Sequence, residues 1–180
     1  MNDFSKIIRS SSDIKPNFIN KNILITGANG LIGNYLVNVL SKITRNKIDC
    51  VDIDNSNLIN LKKKIRFKKV DLSTIDFKLP KSNYDLIIHN AGIPSPFYYR
   101  KDPLKTIDLA VGSTRRILEK YSSKSTKFIF MSSSEIYGNP DKNNVPTNEN
   151  FKGYVSSQGP RACYDERKRL GETLCSIFYN

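Results

Sequence analysis

The stretch NILITGANGLIGNYL, residues 22–36, decides the fold. Residues 22–26 form a short apolar run bounded by turn signals, which reads as a buried strand. From Leu31 to Ile43 the apolar residues recur at helical spacing. Between the two, Gly27, Gly30 and Gly33 stand as G-x-x-G-x-x-G, with Asn29, Leu31 and Ile32 in the same turn. Glycines let a chain turn tightly and let its backbone approach a diphosphate closely. The opening of a helix adds unbonded N–H groups and the positive end of its dipole. Strand, glycine turn and helix in that order predict a dinucleotide cradle.

Outward from this stretch the pattern repeats. KIDCVDI (47–53) is a second strand and NSNLINLKKK (55–64) a short helix; 65–71 and 84–92 are further strands. A long helix follows over 102–121, with Asp102 as N-cap and Pro103 in its first turn. KFIFMSS (127–133) is a fifth strand, and a closing helix is entered through Pro160. Strands alternating with helices predict an α/β, Rossmann-like doubly wound parallel sheet with helices on both faces and ligands along one edge. Asp52 ends the second strand, where a carboxylate can accept a hydrogen bond from a ribose 2′-hydroxyl. Asp54 is the alternative. An acid there disfavours a 2′-phosphate, so the expected cofactor is NAD. No G-x-x-x-x-G-K-[ST] occurs, which argues against an ATP-binding loop.

Composition sets the outer bounds. At 180 residues with 38% hydrophobic side chains the chain can bury a core. We expect an N-terminal extension over 1–20 and one NAD-binding domain over 21–180. No run approaches the ~20 apolar residues of a membrane span, and the N-terminus lacks an apolar signal core, so a cytoplasmic protein is expected. Cys50, Cys163 and Cys175 have no metal-binding spacing, and no metal is expected. The net charge of +12 suits phosphate-bearing ligands. Its densest run, LKKKIRFKK (61–69), reads as a solvated helix end and strand edge. Only Phe67 interleaves it, so base stacking and a nucleic-acid partner are not expected.

Four further pieces, VDL (70–72), IIHNAG (87–92), SSSEIYG (132–138) and YDERK (164–168), follow in order. With the glycine turn they make residues 21–180 resemble the extended short-chain dehydrogenase/reductase family, which acts on nucleotide sugars. SSSEIYGNP followed by GPRACYDE is most similar to its UDP-glucuronate decarboxylases. The resemblance implies that Asp71 and Leu72 meet the adenine, that Ala91 and Gly92 line the cofactor pocket, and that Ser133, Tyr164 and Lys168 are catalytic. Tyr164 and Lys168 stand four apart, hence on one helix face, where an ammonium favours phenolate. Glu135 would orient the sugar or relay a proton, with Ser134 and Arg161 also near substrate. A Ser at 134 cannot serve as the acid of a dehydratase. His89 reads as a structural loop residue, and Asp165, Glu166, Arg167 and Arg169 as solvated.

The implied chemistry oxidises carbon 4 of a UDP-sugar. A 4-keto group β to the carboxylate of UDP-glucuronate then lets carbon dioxide leave, giving UDP-xylose after re-reduction or a free 4-keto pentose. Epimerisation, a related dehydration and a non-catalytic NAD-binding module are the alternatives. Relatives often carry an Asn near Ala110, which this chain lacks, and continue into a C-terminal substrate domain, which this chain is expected to be without. The resemblance therefore implies either an N-terminal portion or a half completed by a separate chain. It also implies a homodimer through helices 102–121 and 160–178.

Overall fold

The structure, a computed structural model, describes residues 3–10 and 12–179. Two compact units divide them: one runs to Ala91 and includes Tyr121–Ile129, the other comprises Gly92–Lys120 and Phe130–Asn180.

The first unit is built on a five-stranded sheet of order β3-β2-β1-β4-β5. Strand β1 (Ile23–Thr26) lies at its centre with all four residues buried, as a continuous apolar run should when both faces are covered. It pairs in parallel with β2 (Ile48–Asp52) and with β4 (Leu86–His89); β2 pairs in parallel with β3 (Ile65–Lys69). Strand β5 (Lys127–Phe130) stands outermost beside β4. Helix α1 (Asp3–Ser10) packs on α2 (Leu31–Ile43) through Phe4, whose ring lies 4.9 Å from that of Tyr35. Ile23, Ile25, Val37, Leu40, Ile48 and Leu58 form the core, each worth about 1.5–3 kcal/mol when fully buried.

The strand β3 edge carries the basic run. Arg66 is tied to buried Asp49 through Nε at 2.5 Å and Nη2 at 3.0 Å, and Tyr84 donates to the same carboxylate at 2.6 Å. Lys62, Lys63, Lys64 and Lys69 are exposed. Charged side chains on an outer strand oppose pairing with another chain.

The second unit is helical. After α3 (Pro96–Lys101), α4 (Pro103–Ile107) starts as expected, with the Asp102 side chain accepting from the Lys105 N–H at 3.1 Å. The single helix expected over 102–121 is instead interrupted by a π-helical turn at Asp108–Gly112, before α5 (Ser113–Tyr121) resumes. Gly112 is a poor helix former, and Ser113 and Thr114 bond back to the carbonyls of Leu109 and Ala110, which eases the ladder out of register. Helix α6 (Ala162–Tyr179) packs on α4, on the π turn and on the 3-10 turn Ser134–Tyr137. The segment 127–133 stays extended only to Phe130, because Ser133 begins that turn by accepting the Glu135 N–H at 3.3 Å.

Candidate active site

Two clusters contain the expected site residues, one in each unit. The first is the turn after β1. Gly27 has φ +64, and a Cβ there would lie 2.7 Å from Ala91 Cα, so both conformation and space call for glycine. A Cβ on Gly33 would sit 2.0 Å from the Gly27 carbonyl oxygen, so α2 can start this close to the turn only without a side chain. At Gly30 a Cβ would make an ordinary 3.4 Å contact. The protein's own packing does not demand glycine at 30, which leaves room for close approach from outside. Leu31 and Ile32 are 80% and 51% exposed at the opening of α2. Here the first N–H groups lack partners one turn back, which fits a diphosphate.

Asp52 reaches this turn. Its Oδ2 accepts the Asn29 N–H at 2.8 Å and its Oδ1 the Ile53 N–H at 2.7 Å. Asp54 lies farther out, and its carboxyl is held below the usual carboxylate range by hydrogen bonds from the Ser56 side chain and backbone. Asp71 accepts from the N–H and hydroxyl of Ser73, and Leu72 is buried. Asn90 donates to the Gly27 carbonyl at 3.1 Å, and Ala91 donates to the Thr26 hydroxyl at 3.3 Å. His89 is buried with Nδ1 2.6 Å from the Thr26 hydroxyl, a packing position.

The second cluster is on and around α6. Tyr164 is half-buried against Tyr99, with ring centroids 5.1 Å apart. Lys168 is buried, donates to the Met131 carbonyl and lies 5.1 Å from the Phe130 ring. Desolvation, and then the neighbouring Arg167 charge, push its ammonium down to about 8. Glu135 is paired with Arg161, which also stands 3.6 Å from Asp165. Ser134 is exposed, whereas Ser133 is half-buried with its hydroxyl on the Glu135 N–H.

The expectation of a solvated charged run at 165–169 is corrected at Arg167, which is only 2% exposed, and at Asp165 and Glu166, which are half-buried. The Arg167 guanidinium lies 4.5 Å from the Tyr164 ring centroid, and Nη2 donates to the Ile93 carbonyl at 3.0 Å. Its Nε and Nη1 have no hydrogen-bond partner, and burial lowers its affinity for a proton. The cation stacked on Tyr164 is thus Arg167, while Lys168 is held by a carbonyl. Positions 164 and 167 are three apart and share a helix face, so the spacing held this signal. Charge alone suggested solvent.

The family model described as "NAD dependent epimerase/dehydratase family" matches residues 23–179. The chain belongs to this family. The turn described above fits the cofactor of the family's description: a wall of backbone, free helix N–H groups and an acid at the end of β2. Among curated relatives in the family, UDP-glucuronic acid decarboxylase 6 of Arabidopsis thaliana is 36% identical over 157 residues, 86% of this chain and 45% of the relative. UDP-glucuronic acid decarboxylase 1 of Danio rerio is 33% identical over 162 residues, 88% of this chain and 38% of the relative. The chain therefore spans less than half the length of these relatives. A solved UDP-galactose 4-epimerase superposes with TM-score 0.69 at 25% identity, covering 87% of this chain and 51% of that one. WbmF of Bordetella bronchiseptica, solved with NAD+, superposes with TM-score 0.68 at 18% identity over 91% of this chain and 47% of its own, a likeness of fold. Among the described residues no helix is long and apolar enough to cross a membrane, and no group of His, Cys, Asp and Glu could hold a metal.

Proposed function

We propose that this chain supplies the NAD-binding and proton-transferring parts of a nucleotide-sugar enzyme that oxidises carbon 4 of a UDP-sugar, with UDP-glucuronate decarboxylation as its reaction. The observation that carries the reading is Lys168, a buried lysine one helical turn from Tyr164. Burying an ammonium is costly, so a lysine buried beside a tyrosine marks a functional-site candidate. The relatives named UDP-glucuronic acid decarboxylase supply the substrate class.

Bound NAD supplies the hydride acceptor. The glycine turn would hold its diphosphate, and Asp52 would accept from ribose hydroxyls and oppose a 2′-phosphate. Tyr164 takes the proton from the sugar hydroxyl as the hydride leaves carbon, and the Ser133 hydroxyl orients the same oxygen. Arg167, with its guanidinium 4.5 Å from the ring centroid, is the cation set against the tyrosine. Glu135, engaged by Arg161, acts as a fixed acceptor that orients the sugar. Ser134 offers no acid for loss of a hydroxyl, which supports decarboxylation or epimerisation over dehydration.

Tyr164→Phe tests the assignment. NAD affinity, measured by calorimetry, should be unchanged. Turnover of UDP-glucuronate, measured on the chain supplemented with the C-terminal half of a matching decarboxylase, should fall about 10²-fold or more. Undiminished turnover overturns the role of Tyr164. A product that keeps the substrate's mass identifies an epimerase instead.

A further inference from the structure

Resting on the reading of the glycine turn as the cofactor cradle, we infer that Asn57 is a positioning residue for the dinucleotide, clasping the turn to the acid-bearing end of β2 and so setting which dinucleotide fits.

Every polar group of Asn29, in the middle of the turn, is engaged by the segment 52–57. Its N–H donates to Asp52 Oδ2 at 2.8 Å and its side-chain amide to Asp54 Oδ2 at 3.0 Å. Its carbonyl accepts the Asn57 side-chain amide at 3.0 Å, and its Oδ1 accepts the Asn57 N–H at 2.9 Å. The Asn57 carbonyl in turn accepts from the Asn34 side chain at 2.9 Å, in the first turn of α2. Three asparagines thus lock together the turn, the helix that opens from it and the 3-10 segment Ser56–Leu61 that follows the acids.

This arrangement changes what Asn29 does. Its amide is spent on protein contacts, so its work is to hold Asp52 and Asp54 at a set distance from the helix N–H groups. Asp52 uses one lone pair on each oxygen for the Asn29 and Ile53 N–H groups, which leaves acceptor capacity for ribose hydroxyls. Repulsion of a 2′-phosphate depends on the same carboxylates being held in place. Asn57 is exposed, so in the free protein its bonds compete with water. A dinucleotide lying over the clasp would exclude that water and strengthen it. Preorganisation of this kind shows in affinity and selectivity.

Calorimetric titration of NAD and NADP into the wild-type chain and Asn57→Ala tests the inference. The NAD dissociation constant should rise roughly three- to tenfold in the variant. NADP should weaken less, so that the preference for NAD narrows. Asn57→Asp, close in shape but without the amide donor, should narrow it as well, and it answers the question if the alanine variant does not fold. Asn34→Ala keeps the bonds between Asn57 and Asn29 and should shift NAD binding less. An unchanged NAD constant, or equal losses for both dinucleotides, overturns the clasp while leaving the cofactor reading intact. A wild-type chain that does not bind NAD overturns both.

Discussion

The glycine turn and the Tyr164 helix are walled differently. A Cβ on Gly33 would meet the Gly27 carbonyl oxygen and Ala28 Cα, atoms of backbone that can move only if the strand and helix move. A Cβ on Gly171, in α6, would meet the Phe130 ring at 2.3 Å, and a ring can turn aside. The polar groups differ in the same sense. Around Asn29 all are paired, whereas on α6 the Nε and Nη1 of Arg167 and one oxygen of Asp165 are buried without partners. The cradle is finished as a rigid surface. The cluster around Tyr164 leaves individual buried polar atoms without partners.

Four substitutions sharpen or break this contrast. Gly33→Ala should have the largest effect, with a loss of about 3 kcal/mol in denaturant unfolding and loss of NAD binding. A well-folded Gly33→Ala that binds NAD normally would show that the backbone wall yields. Arg167→Met removes a buried unpaired charge and keeps its bulk, so unfolding stability should rise by ~1–2 kcal/mol. A drop would mean that stacking on Tyr164 outweighs desolvation. Gly171→Ala should cost ~1 kcal/mol, the cost of swinging the Phe130 side chain aside about its Cα–Cβ bond.

The smallest effect is pH-dependent. Lys168 has its folded value pushed down to about 8, below that of an unfolded lysine. The cost of burying its ammonium is fully present below pH 8. It is relieved as pH rises from 8 towards the unfolded value of about 10.4. Relative to Lys168→Met, the wild-type chain should therefore gain stability over that interval in unfolding curves taken at several pH values. A constant difference between the two proteins would contradict the burial of the charge.

Much of this was legible from short-range pattern. A glycine on each side of Asn29, an apolar run before it and helical spacing after it are local signals, and β1 and α2 begin and end within a residue of where they point. Asp102 as a cap and Tyr164 and Lys168 on one helix are also local, since each depends on neighbours within four positions. The π turn was not legible, because it reflects competition between helix hydrogen bonds and the hydroxyls of Ser113 and Thr114. Asn57 gave no signal in a chain rich in asparagine, where its partner lies 28 positions away.

By itself, then, the sequence determined the alternation of strands and helices, the turn that only glycine can make, and the residue types able to bind a dinucleotide and move a proton. Tertiary structure alone decided which cation meets Tyr164, what holds Lys168, and how the acids after β2 are pinned to the turn. Arg167 is buried on the Ile93 carbonyl, 74 positions distant, and Lys168 bonds to Met131 across 37. Hydrogen-bonding capacity belongs to a side chain and can be read in place. Burial and partnership depend on which distant segments arrive beside it.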